Sequence, residues 1–120
     1  MIRQWKLDTI TGNDSATSAR PLFGRVLAIY LEYAVTPNAA TDVTIATVNS
    51  PVKTILTVTD NNTSGWYYPR EQIQDNTGTG LVYAATDVVA ESIPVSDYIK
   101  ATVAQGDNDQ TLNVWVLLEE

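Results

Sequence analysis

The sequence predicts an all-β fold, an antiparallel β-sandwich of jelly-roll-like arrangement with about eight strands. Three observations carry that prediction. Short runs rich in Val, Ile, Thr and aromatic residues alternate apolar and polar at period two. Clusters of Gly, Pro, Asn, Asp and Ser interrupt those runs about every 8–12 residues. No segment carries the 3.6-residue apolar stripe of an amphipathic helix. An immunoglobulin-like sandwich fits the same pattern nearly as well, and the pattern alone does not separate the two.

Taken in order, Ile2 to Leu7 alternates imperfectly and reads as a short edge strand. Asp8 to Arg20 is small and polar, with no core-forming pattern, and reads either as a surface loop or as an exposed arm reaching a neighbouring subunit. Residues 1–23 are therefore expected to form an N-terminal strand, arm and loop, and residues 24–120 the sandwich domain. The clearest strand is Arg25 to Ala34, with Leu27, Ile29, Leu31 and Tyr33 on one face and Val26, Ala28, Tyr30 and Glu32 on the other. Both faces are largely apolar, as expected of a central strand or one covered by a partner.

Val43 to Val48 and Val52 to Thr59 follow as strands, the second placing Val52, Thr54, Leu56 and Val58 opposite Lys53, Ile55, Thr57 and Thr59. Trp66 to Arg70 can extend only briefly, because Pro69 donates no ladder hydrogen bond. Leu81 to Val89 fits a strand or an irregular segment. Glu91 to Val95 contains Pro94 and so reads as an edge strand. Tyr98 to Ala104 points Ile99, Ala101 and Val103 inward, and Gln105 to Gln110 reads as a hairpin loop. Thr111 to Glu119 directs Leu112, Val114, Val116 and Leu118 to one face, Trp115 and Leu117 to the other.

Composition narrows the chemistry. At 120 residues and 44% hydrophobic content the chain suits one domain with its own core. It has no cysteine, so neither disulfides nor thiolate metal sites are possible. It has no histidine, which removes the usual general base and metal ligand and leaves no Ser-His-Asp arrangement. Seven basic against fourteen acidic residues, a net charge of −7, oppose nucleic-acid binding. Met1 to Lys6 leads into no apolar signal core, and no run approaches the roughly 20 apolar residues of a membrane helix. The chain thus reads as a soluble, non-enzymatic protein.

Gly65-Trp66-Tyr67-Tyr68-Pro69-Arg70-Glu71 concentrates three aromatic residues between turn-rich segments. Trp66, Tyr67 and Tyr68 beside Arg70 would suit a sugar platform, or an inter-subunit contact, where Trp, Tyr and Arg are enriched. They would equally serve packing, with Trp66 and Tyr68 inward and Tyr67 outward. Trp66, Tyr67, Tyr68, Arg70, Trp115 and Leu117 are the expected interface residues. Asp107-Asn108-Asp109, with Asp60 or Asp97, offers oxygen ligands to calcium, but lacks the spacing of an EF-hand and is explained by turn chemistry. Neither a metal nor any other cofactor is expected. Asn61-Asn62-Thr63-Ser64 contains two overlapping glycosylation sequons, again read as a turn. Glu32, Glu71, Asp75 and Glu91 are the carboxylates from which an acid–base pair would come, though their spacing does not assemble one.

Gly24-Arg25-Val26-Leu27-Ala28-Ile29-Tyr30, Ala40-Thr41-Asp42-Val43-Thr44-Ile45, Lys53 to Asp60, Gly65-Trp66-Tyr67-Tyr68-Pro69-Arg70 and Val103-Ala104-Gln105-Gly106 succeed one another in an order that resembles a group of small virion structural proteins of tailed bacteriophages. The resemblance spans residues 24 to 119, and the Trp-Tyr-Tyr-Pro-Arg segment is its most specific part. It implies a capsid decoration (cement) protein or another head-associated subunit without catalysis, on the virion surface and made in the cytoplasm of a bacterial host. It also implies homo-oligomers, trimers among them, and the major capsid protein or another virion protein as partner. Neck, tail or fibre placement and a carbohydrate-binding module are the alternatives.

Overall fold

The computed structural model describes residues 1–84 and 87–120. Among them lie thirteen strands and no helix: β1 (Ile2–Lys6), β2 (Ile10–Thr11), β3 (Ser15–Thr17), β4 (Leu22–Tyr33), β5 (Asp42–Thr47), β6 (Thr54–Val58), β7 (Gly65–Tyr67), β8 (Arg70–Gln72), β9 (Val82–Tyr83), β10 (Asp87–Val88), β11 (Ala90–Asp97), β12 (Ile99–Ala104) and β13 (Thr111–Glu119).

Every named pairing is antiparallel. A seven-stranded sheet runs β1-β13-β4-β11-β8, with β2 also on β13 and β7 also on β4; a four-stranded sheet runs β3-β12-β5-β6. With β2 and β7, which pair off the main order, β8 at its end and the separate β9–β10 pair set aside, eight strands remain, the three-residue β3 among them. In the larger sheet the first of these pairs with the last, the last with the third, and the third with the sixth. In the smaller, the second pairs with the seventh, the seventh with the fourth, and the fourth with the fifth. That interleaving is the double Greek key of a jelly roll. One buried cluster joins the sheets: Val26, Ile29, Leu31, Val114 and Val116 from the larger meet Val43, Ile45, Ile99 and Val103 from the smaller.

The N-terminal stretch is no arm. β1 pairs with β13 along its whole length, β2 continues on the same edge, and β3 adds the outer strand of the smaller sheet. Leu7 and Ile10 lie in the core, and Ser18 takes the Ile99 N–H at 3.1 Å. The polar run from Asp8 to Arg20 hides two strands because each is only two or three residues long, below the reach of a periodicity argument.

Two bulges correct the assigned faces. Leu118 pairs with Val26 but Leu117 with Ala28, so Leu27 is the extra residue on β4. Val26 therefore enters the core where Leu27 was expected, while Ile29, Leu31 and Tyr33 keep theirs. On β6, Ile45 pairs with Leu56 and Ala46 with Thr54, which leaves Ile55 extra and buried. The turn at Gln105 to Gln110 is not a hairpin, since β12 and β13 belong to different sheets and the loop crosses between them. β11 is interior by order, yet at Pro94 only the β4 flank is paired, because β8 covers Ala90 to Ser92 alone. A missing N–H is tolerated there. Of Leu81 to Val89, Ala85 and Thr86 lie outside the described residues, and the rest contributes β9 and β10, a separate two-stranded ribbon.

Candidate functional site

The outer face of the larger sheet carries a row of side chains fixed by strand register. Trp66 on β7 is the direct partner of Tyr30 on β4, Tyr30 of Trp115 on β13, and Trp115 of Lys6 on β1. Direct partners in neighbouring strands hold their Cβ atoms about 4.5–5.5 Å apart, so the four side chains must touch in sequence. Tyr30 and Trp66 stack with centroids 5.0 Å apart and planes at 52°, Tyr30 and Trp115 at 5.9 Å and 53°. Both are favourable tilted geometries. Lys6 Nζ stands 5.6 Å from the Trp115 ring centroid, a cation–π contact that closes the row.

The three rings of this row floor an open groove of about 250 Å3, walled by Gln4 and Glu32. Glu32 is held from behind: Asn113 Nδ2 donates to its Oε1 at 3.4 Å, and Thr9 Oγ1 donates to Asn113 Oδ1 at 2.6 Å. The arrangement offers π faces, a carboxylate and a primary amide, which can stack and hydrogen-bond a ligand.

The aromatic stretch divides in the opposite sense from the packing expectation. Tyr67 packs against the core and its hydroxyl accepts a 2.6 Å bond from Asn61 Nδ2, whereas Trp66 and Tyr68 are 48% and 64% exposed. Strand alternation decides this: with Tyr67 opposite Ile29, whose side chain is in the core, Trp66 must face out beside Tyr30. Arg70 is exposed, but its Nη1 donates to the Leu27 carbonyl at 2.9 Å and to that of Pro69 at 2.8 Å. The guanidinium thus satisfies the bulge and holds the chain where β7 gives way to β8. Trp115 and Leu117 lie half-buried on the outer face.

Of the four carboxylates, the fold brings Glu71 and Glu91 together as direct cross-strand partners. Each has its own cation, Lys53 on Glu71 at 2.7 Å and Arg25 on Glu91 at 3.7 Å, so they form structural ion pairs. Asp75 caps its own loop, and the Thr77 hydroxyl, with the N–H groups of Thr77 and Thr79, holds its carboxyl below the ordinary value. Asp107 is spent on Asn38 (N at 2.9 Å, Nδ2 at 3.1 Å) and Asp97 on the Val48–Asn49 turn, two different loops. Among the described residues no cluster of three or more acidic side chains could hold a metal ion. Asn61 is committed to Tyr67 and to the Thr63 N–H, as a turn residue is.

Tyr30, Gln4 and Lys6 are site residues that the sequence did not single out. Period two does place Tyr30 and Trp115 outward on their strands, but nothing in the chain tells which strands are neighbours or in what register. No family model, no curated protein and no solved structure matches the chain.

Proposed function

We propose that this protein is a structural component of a tailed-phage virion, a head decoration subunit that binds and stabilises the capsid shell by contact rather than chemistry. The resemblance centred on Trp66 to Arg70 supports that reading, as does a chain without histidine or cysteine. The single observation that carries the contact role is the β9–β10 ribbon. It is hydrogen-bonded to the body through Ile73, Val89 and Leu81, but no other strand packs extensively against it among the described residues. Leu81, Val82, Tyr83 and Val88 are all exposed there, Tyr83 to 75%. A two-stranded ribbon is marginal alone in water, and four large apolar side chains on one favour insertion against another protein. The major capsid protein is the proposed partner, with homo-oligomers, trimers among them, as the assembled form.

Co-sedimentation with capsid shells stripped of this protein tests the proposal. Saturable binding and a raised shell melting temperature are expected, both weakened by Val82→Ser with Tyr83→Ser. A strict monomer in light scattering that never pellets with shells would refute it. Labelling of intact particles separates the head from neck, tail or fibre placement.

A further inference from the structure

We propose that the groove over Trp66, Tyr30 and Trp115 is a binding site for a neutral glycan. It is independent of the virion assignment, because the groove and the β9–β10 ribbon are different surfaces. Pyranose rings present C–H faces that stack on aromatic rings and hydroxyls that both donate and accept. The groove supplies the complement of each: a floor of three tilted rings, the Glu32 carboxylate as acceptor, and the Gln4 amide as donor and acceptor. Its volume of about 250 Å3 falls just under the range of drug-sized pockets, about 300–1,000 Å3, and suits one or two sugar rings.

Two features argue for a sugar over other occupants. A flat apolar protein surface laid on the row would desolvate Glu32 and Gln4 without pairing them, which is costly, whereas hydroxyls satisfy both. Anionic ligands are disfavoured by Glu32 in the wall and by the net charge of −7. The Thr9–Asn113–Glu32 chain of hydrogen bonds fixes the acceptor before a ligand arrives, and such preorganisation favours binding.

Tryptophan emission of the intact protein tests this, titrated with neutral tetrasaccharides of glucose, xylose, mannose and N-acetylglucosamine, and with sulfated and uronic-acid oligomers as contrast. A saturable change with at least one neutral sugar is expected. Trp66→Ala or Trp115→Ala should weaken it about tenfold, and Glu32→Gln by a smaller factor. Tyr83→Ser, on the ribbon, should leave it unchanged. Circular dichroism checks each fold, and if Trp115→Ala unfolds, Trp66→Ala and Glu32→Gln at the surface decide. The proposal is overturned by no saturable change with any neutral sugar up to about 10 mM, by binding of the anionic oligomers alone, or by binding that survives the loss of Trp66. The virion reading is judged separately by co-sedimentation, so either can fail alone.

Discussion

Two side chains tie stability to pH in opposite directions. Burial, with Tyr67 close by, pushes the Tyr33 phenol up to about 12. The neutral phenol is favoured in the folded state, so its contribution is complete below its ordinary value of 10.0 and is lost as pH rises towards about 12. Tyr33→Phe should remove that part of the alkaline loss, seen as a flatter thermal midpoint across this window. Asp97 behaves in the reverse sense. Desolvation works against its ionisation, but the Asn49 and Tyr98 N–H groups, the Asn49 side-chain amide and the Val48 N–H outweigh it and hold the carboxyl below its ordinary 3.8. Its stabilisation is therefore full above 3.8 and lost as pH falls through the lowered value. Asp97→Asn should lower the midpoint at neutral pH and shallow its decline on acidification, which a melting series from neutral to acidic pH measures.

Among the elements, β4 shows most plainly what sequence can and cannot convey. Its existence, its apolar faces and its central place are readable, because a run of β-formers between turn signals admits few alternatives, though β4 begins at Leu22, three residues before the Arg25 start expected. The bulge at Leu27 is not, since an inserted residue leaves no local mark while reversing the phase of what precedes it. The same limit hid the row at Trp66: alternation is a property of one strand, register a property of two. β2 and β3 escaped for a third reason, being held by β13 and β12 rather than by propensity of their own. The strand also makes two predictions. Gly24 has a φ of +136°, and a Cβ there would overlap the Glu119 carbonyl oxygen. Gly24→Ala should cost about 3 kcal/mol in urea unfolding through strain and the displaced end of β13. Arg70→Ala, which frees the Leu27 carbonyl at an exposed site, should cost nearer 1 kcal/mol.

At the scale of the molecule, a jelly roll joins its first strand to its last, so neither sheet is complete until both ends of the chain are in place. β1 and β2, with the Leu7 N–H on the Val114 carbonyl between them, cover most of one edge of β13, and the segment around them seats Leu7 and Ile10, 2% and 1% exposed. Replacing a buried Leu or Ile by Ala costs about 2–5 kcal/mol, against a total stability of about 5–15 kcal/mol for a domain of ordinary size. Leu7→Ala should therefore remove a large fraction of the stability, and Leu7→Ala with Ile10→Ala should leave little folded protein. Exposed substitutions in the same segment, such as Asp8→Ala, should stay within about 0.5 kcal/mol. Removing residues 1–11 outright should expose the β13 edge and yield an aggregating chain, since an uncovered edge strand pairs with whatever strand it meets. Chemical denaturation of the two point variants and light scattering of the truncated chain measure these outcomes. A truncated chain that stays monomeric with near-normal stability would show instead that β1 and β2 are dispensable to the sandwich.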